Sequence, residues 1–288
     1  ISAIWKIKAC LTAAVLAFII STGAGSLYAQ GGDRIMDKDK LDSREYNLKD
    51  IRITIAYDNK SMQKGIKEAW GFSCFIEGLE KKILFDTGGD GGILLENIEK
   101  LGIEISEIDI IIISHNHWDH VGGLDDVLRQ YSDLDVCILP SFYENIKDSI
   151  KSSDARLIER DDPFEVIKGV FTTGKMGTAI EEQAIIINTD EGLMVITGCA
   201  HPGVENIAEK SKELLNREIL LVLGGFHLRE QSAHRIADVA KYMKMLGVKY
   251  VAPCHCSGKQ AFEVLREIFE ENYLDVAAGK IVTYEDFQ

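Results

Sequence analysis

The stretch that most constrains this chain is IDIIIISHNHWDH, residues 108–120. Its first half is apolar and β-branched without alternation, which is how a strand covered on both faces reads. Such a strand belongs inside a layered α/β domain. Its second half places three of the chain's seven histidines and an aspartate within residues 115–120. Imidazole nitrogens with a carboxylate suit zinc or a similar divalent ion. Ligand types at i, i+2, i+4 and i+5 do not comfortably surround one ion. The spacing therefore predicts two neighbouring sites, His115 with His117 and Asp119 with His120.

Three more apolar runs end the same way. GLMVITGCAH, ILLVLGGFH and VKYVAPCH each reach a Gly- or Pro-containing break and then a histidine: His201, His227 and His255. Strand ends on one edge of a layered α/β fold converge, so these side chains are expected beside the first cluster. The seventh histidine, His234, lies in a helical pattern and reads as a surface residue. Asp86, in LFDTGG, either orients a ligand histidine or loop amides through hydrogen bonds, or simply forms the turn.

Around these motifs the chain reads as one α/β domain over residues 51–288. Strands are expected at 51–57, 72–77, 82–88, 108–114, 135–139, 184–188, 192–197, 218–223, 249–252 and 280–284. Helices fit GGILLENIEKLG, DHVGGLDDVLRQY, 203–215, 232–246 and 258–271. Segments 58–71, 140–160 and 174–183 carry no clear pattern and are expected as the loops that shape a substrate pocket.

Composition narrows the partners. Hydrophobic residues make up 46% of the chain and charged ones 27%, enough for a substantial core. The net charge of −14 argues against nucleic-acid binding, which needs a basic face. A small anionic substrate remains compatible, because a bound cation reverses the local field. No feature specifies an oligomer.

The N-terminus has the layout of a secretory signal: Lys6 and Lys8, an apolar run from Ala9 to Ile20, then small residues up to Ala29. Residues 1–29 are thus expected to be a signal peptide and 30–50 a polar tether, with export to the periplasm or outside the cell. An uncleaved segment would instead anchor the chain to the membrane. Six cysteines become five after cleavage, and an odd number does not suggest a disulfide framework. Cys74 and Cys137 read as buried strand residues, whereas Cys199, Cys254 and Cys256 lie within two positions of a histidine.

Together, FDTG, SHNHWDHVGG, TGCAH and APCHC resemble the metallo-β-lactamase superfamily, whose signature is HxHxDH. The resemblance spans residues 51–288 and implies a single-domain αββα sandwich with a dinuclear metal site at one edge. It implies two zinc ions per chain, with manganese or iron(II) able to take the same ligands. By position, His115 and His117 would hold the first metal, and Asp119, His120 and His255 the second. WGFSCFIE, TGCAHPGVENI, LGGFHL, PCHCSG and AAGKIV further resemble a branch whose archaeal members are 7,8-dihydropterin-6-yl-methyl-4-(β-D-ribofuranosyl)aminobenzene 5′-phosphate synthases.

The chain departs from the superfamily pattern in one region. The third motif is usually a histidine before the GLMVITG strand, and here FTTGKMGTAIEEQ has none. His201 is then placed to supply the missing nitrogen. Where a bridging aspartate is common this chain has Cys199, which either ligates as a thiolate or is a small packed residue. The expected activity is hydrolysis of a small ester, lactone or phosphoester by metal-bound hydroxide, with Asp119 orienting it. His227 would donate a proton or bind phosphate, or serve as another ligand. The alternatives are a pterin–arylamine transferase like the resembling branch, and a non-catalytic metal-binding or sensing module.

Overall fold

Strand β4 (Ile110–Ile112) is buried on both faces, as its composition requires: Ile110 and Ile112 enter one apolar cluster, Ile111 and Ile113 another. The computed structural model describes residues 45–288. The expected signal peptide and residues 30–44 of the expected tether lie outside the described residues. The remainder of that tether is part of the domain, because it carries apolar anchors: Tyr46 and Leu48 are buried, and Leu48–Asp50 forms a 3₁₀ turn capped by Asn47.

Two mixed sheets stack face to face. The first holds β1 (Arg52–Tyr57), β2 (Ser73–Glu77), β3 (Ile83–Phe85), β4, β5 (Asp135–Ile138) and β6 (Arg156–Glu159). The second holds β7 (Phe164–Ile167), β8 (Val170–Thr172), β9 (Ile185–Thr189), β10 (Gly192–Thr197), β11 (Ile219–Gly225) and β12 (Tyr250–Cys254). Strand β13 (Ile281–Val282) returns to pair with β1. The orders are β13-β1-β2-β3-β4-β5-β6 and β12-β11-β10-β9-β8-β7. Strands β3 to β6 run parallel, as do β10 to β12.

Helices cover the outer faces. Leu94 and Ile98 of α1 (Gly91–Lys100), Leu124 and Val127 of α3 (Leu124–Gln130) and Ile150 of α4 (Glu144–Ser152) pack with the outward residues of the first sheet. Helices α5 (Val204–Leu215), α6 (Ala233–Met245) and α7 (Lys259–Phe269) do the same on the second. Ile53, Ile55, Phe85, Met194, Ile196 and Leu223 fill the space between the sheets. Each such side chain contributes about 1.5–3 kcal/mol on leaving water. This is the expected αββα sandwich.

Some local expectations need revision. The helix read through DHVGGLDDVLRQY is two pieces, α2 (Trp118–Val121) and α3, parted at Gly122–Gly123. Segment 140–160 is not simply a loop: it contains α4 and edge strand β6, whose polar outer faces hid their periodicity. Strands β7 and β8 were also unforeseen: Glu165 interrupts the apolar run of β7, and β8 is only three residues long.

Candidate metal centre

The C-terminal ends of β1, β3 and β4 in one sheet face those of β10, β11 and β12 in the other. Strand ends bring Asp58, Asp86, the 114–120 segment, Cys199, His201, His227 and His255 to one edge. Gly198 makes the approach possible. A Cβ there would run into Ser114 Oγ and stand 2.9 Å from Asp86 Oδ2. The backbone at Asp86 (φ 59°), Ala200 (62°), His227 (51°) and His255 (50°) is left-handed at each of these strand exits. Non-glycine residues held there are strained, and such strain concentrates at functional sites.

Two ligand-type groups result. His115, His117 and His201 each offer one donor atom within 4.8 Å of the others, and so do Asp119, His120, Cys199 and His255. His115 and His120 rings stand 4.2 Å apart between centroids, which joins the groups. His227 lies at the rim, exposed, 4.4 Å from the His201 ring. His234 is on the surface of α6, paired with Asp238 four residues on.

Four of the histidines have one nitrogen tied down and the other turned inward. His115 Nδ1 donates to Ser114 Oγ at 2.9 Å, and Ser114 Oγ donates to Asp86 Oδ2 at 2.8 Å. His120 Nδ1 lies 2.6 Å from Asp86 Oδ2. His201 Nδ1 donates to Glu182 Oε2 at 2.9 Å, and His255 Nδ1 to Asn59 Oδ1 at 3.1 Å. Carboxylate or amide oxygens behind the ring are how ligand histidines are oriented.

The donor set fits divalent metal on three observations. His115 Nε2 and His117 Nδ1 face each other at 3.1 Å; two nitrogens each 2.0–2.1 Å from one tetrahedral ion stand about 3.3 Å apart. His255 Nε2 is buried and makes no well-formed hydrogen bond, standing 3.3 Å from Asp119 Oδ2 of the same ligand group, an arrangement that is costly unless something binds there. Finally, burial favours the neutral form of His115, His117 and His120, whereas at His255 burial is outweighed by contact with Asp119, which raises the pKa. Burial, reinforced by the neighbouring His120, pushes His115 down to about 3. Burial and nearby His255 do the same to His120, also to about 3. Neutral rings have the lone pair a metal needs.

The carboxylates divide by environment. Burial pushes Asp86 up to about 8, against the pull of His115 and its Ser114 hydrogen bonds. For Asp119 burial also works upward, but contact with His255 and the nearby His120 outweigh it and hold the group well below the usual carboxylate range. Trp70 Nε1 donates to Asp119 Oδ2 at 2.8 Å. Glu182, fully buried, is likewise held low by His115 and by its hydrogen bond from His201 despite burial.

Glu182 was not foreseen. It lies in the segment where a third-motif histidine is missing, and its two oxygens gather the turn that supplies the replacement. Oε1 accepts from Cys199 N and Ala200 N, both at 2.8 Å, and Oε2 from His201 N at 2.9 Å. Its only sequence signal was an acid immediately before the apolar run QAIII. Trp70 and Asn59, from a segment read only as a loop, were missed too.

The sequence profile of the metallo-β-lactamase superfamily matches residues 71–255. The chain belongs to this superfamily. Among its relatives, a 7,8-dihydropterin-6-methyl-4-(β-D-ribofuranosyl)-aminobenzene-5′-phosphate synthase of Methanocaldococcus jannaschii is 28% identical, over 80% of this chain and 95% of that one. An uncharacterised protein of the same archaeon is 31% identical, over 80% of this chain and 99% of its own. A solved metal-dependent hydrolase of the β-lactamase superfamily superposes with a TM-score of 0.68 at 30% identity, covering 81% of this chain and 98% of the other. The metallo-β-lactamase fold thus spans the described domain, with its paired ligand groups where the two sheets meet.

Proposed function

We propose that this metallo-β-lactamase-fold protein is a metal-dependent hydrolase of a small ester, lactone or phosphoester, with zinc in both ligand groups, acting after export. The observation that carries the reading is the pair of adjacent ligand groups, His115/His117/His201 and Asp119/His120/His255, in which oxygens behind the His120, His201 and His255 rings hold one nitrogen and turn the other toward its fellow ligands. Manganese or iron(II) would accept the same residues. Bound ions supply Lewis acidity, polarising a carbonyl or phosphoryl oxygen and acidifying water.

The chain's own residues do the positioning. Asp119, ionised and fixed by the Trp70 indole, orients attacking water while completing its ligand group. Asp86 and Glu182 set the ring planes of His120 and His201. His227, exposed at the rim, presents an N–H to a leaving group or a phosphate oxygen of an anionic substrate.

The test is turnover of generic phosphodiester, ester and lactone substrates by the full-length chain with added Zn²⁺ or Mn²⁺. Chelator-sensitive activity that Asp119→Asn abolishes supports the reading; no turnover of any of these substrates counts against it. A second reading, transfer of a pterin unit to an arylamine, is favoured by the synthase relative, which the chain matches over nearly that protein's whole length. A transferase turns over only with both co-substrates. Compartment separates the readings further. Recovery outside the cytoplasm with residues 1–29 removed supports the exported hydrolase, and an intact N-terminus on cytosolic protein sinks export.

A further inference from the structure

Cys199, His227 and Cys256 form a third convergence beside the two groups described above. One follows each of the adjacent parallel strands β10, β11 and β12. The two sulfurs and an imidazole nitrogen of His227 all lie within 4.8 Å of one another. Cys256 Sγ donates to the Cys199 carbonyl oxygen at 3.5 Å, and both cysteines are buried, Cys199 at 4% and Cys256 at 5% exposure.

Two features show that the convergence is built. Gly225 lies under it: a Cβ there would run into the Gly198 carbonyl oxygen and stand 2.7 Å from Cys256 Sγ and 3.2 Å from Cys199 Cα, so glycine is needed both for the strand exits to meet and for Cys256 to sit beside Cys199. His227 is exposed, so its left-handed backbone (φ 51°) is not explained by packing its ring into the core. That strain turns the ring toward the sulfurs. By contrast, Cys74, Cys137 and Cys254 are buried in the apolar core between the sheets.

We infer that Cys199, His227 and Cys256 are a third metal site, one that takes a thiophilic ion such as Zn²⁺. Two thiolates and one imidazole are a set that zinc accepts with a fourth position open. Sulfur donors disfavour manganese and magnesium, so this site differs in selectivity from the nitrogen- and oxygen-rich groups beside it. Binding releases the two thiol protons, and no electrons move. Cys199 Sγ also belongs to the group of Asp119, His120 and His255, so its thiolate bridges neighbouring ions when both sites are filled. The exposed side of His227 leaves the open position toward solvent, where the ion exchanges more readily than its buried neighbours.

The experiment is a Co²⁺ titration of the full-length chain, stripped of metal and kept reduced and anaerobic. Bound ions are counted by elemental analysis, and thiolate-to-cobalt charge transfer is followed in the near ultraviolet. The expected result is three ions per chain with a charge-transfer band. Cys256→Ser and His227→Ala should each bind one ion fewer, and Cys256→Ser should lose about half of the band. His227→Ala removes an exposed ring, so it tests the site without loss of the fold. Unchanged ion counts in both variants, or a wild type with no charge-transfer band, overturn the inference. A His115→Ala/His117→Ala variant separates this site from the proposed hydrolytic centre. If that variant binds as many ions as wild type and keeps the band, the hydrolytic reading fails while the third site stands.

Discussion

Asp86 Oδ2 lies 2.6 Å from His120 Nδ1, and neither side chain is exposed. The same carboxylate accepts from Ser114 N at 2.7 Å and from Ser114 Oγ, the atom that holds His115. One aspartate therefore orients a histidine in each ligand group. Asp86→Asn puts an amide where an acceptor is needed. It should weaken metal binding about 10- to 100-fold. Competition with a chromophoric chelator measures this, and wild-type affinity in the variant would remove Asp86 from the account.

Glu182 plays the matching part for His201. Glu182→Gln replaces an oxygen that accepts from N–H groups with an NH₂ that cannot. The 199–201 turn should loosen, at a cost of about 1–3 kcal/mol for the buried donor left unpaired. Metal affinity should fall about 10- to 100-fold by loss of ring orientation. Denaturant unfolding and chelator competition read the two effects separately. A variant that is less stable but binds metal as tightly would show that Glu182 only braces the turn.

Gly198 is predicted to be intolerant of even one methyl group. The Gly198→Ala side chain meets Ser114 Oγ and Asp86 Oδ2, so strands β10 and β4 must part. Overpacking of this kind costs about 1–3 kcal/mol. Denaturant titration of the metal-free variant checks it, and an unchanged midpoint would mean that the strand ends can shift freely.

Alkali should destabilise the fold through its core thiols. Burial pushes Cys137 up to about 12, and burial likewise raises Cys74 and Cys254 well above the usual thiol value. A pKa raised in the folded state gives stability that is complete below the unfolded value and lost as pH climbs toward the folded one. The window is therefore about pH 9 to 12, with a slope of about 1.4 kcal/mol per pH unit for each thiol. Unfolding free energies measured across pH 8–11 should stay level to about pH 9 and then fall, and Cys137→Ala should flatten the slope by one thiol's share. A pH-independent stability in that range would contradict this.

Much of the fold and half of the site could be seen in the chain because they depend on local pattern. An apolar strand that ends in HNHWDH states both its burial and its chemistry within thirteen residues, 108–120. Glycine-broken runs before His201, His227 and His255 carry the same message. What stayed hidden depends on contacts between distant segments. Trp70 reaches Asp119 across 49 positions, and Asn59 reaches His255 across 196. Nothing near either residue announces its partner. Glu182 looked like one acid among many, since its partners in the 199–201 turn lie 17 to 19 positions away. Strands β6 and β7 and helix α4 were obscured by charged residues on outward faces, and β8 by its length of three residues.

The most direct test of the central claim is a zinc-edge anomalous difference map from crystals of the zinc-loaded, full-length chain. One peak is expected among His115, His117 and His201 and a second among Asp119, His120 and His255. A map empty at both positions under saturating zinc would contradict it.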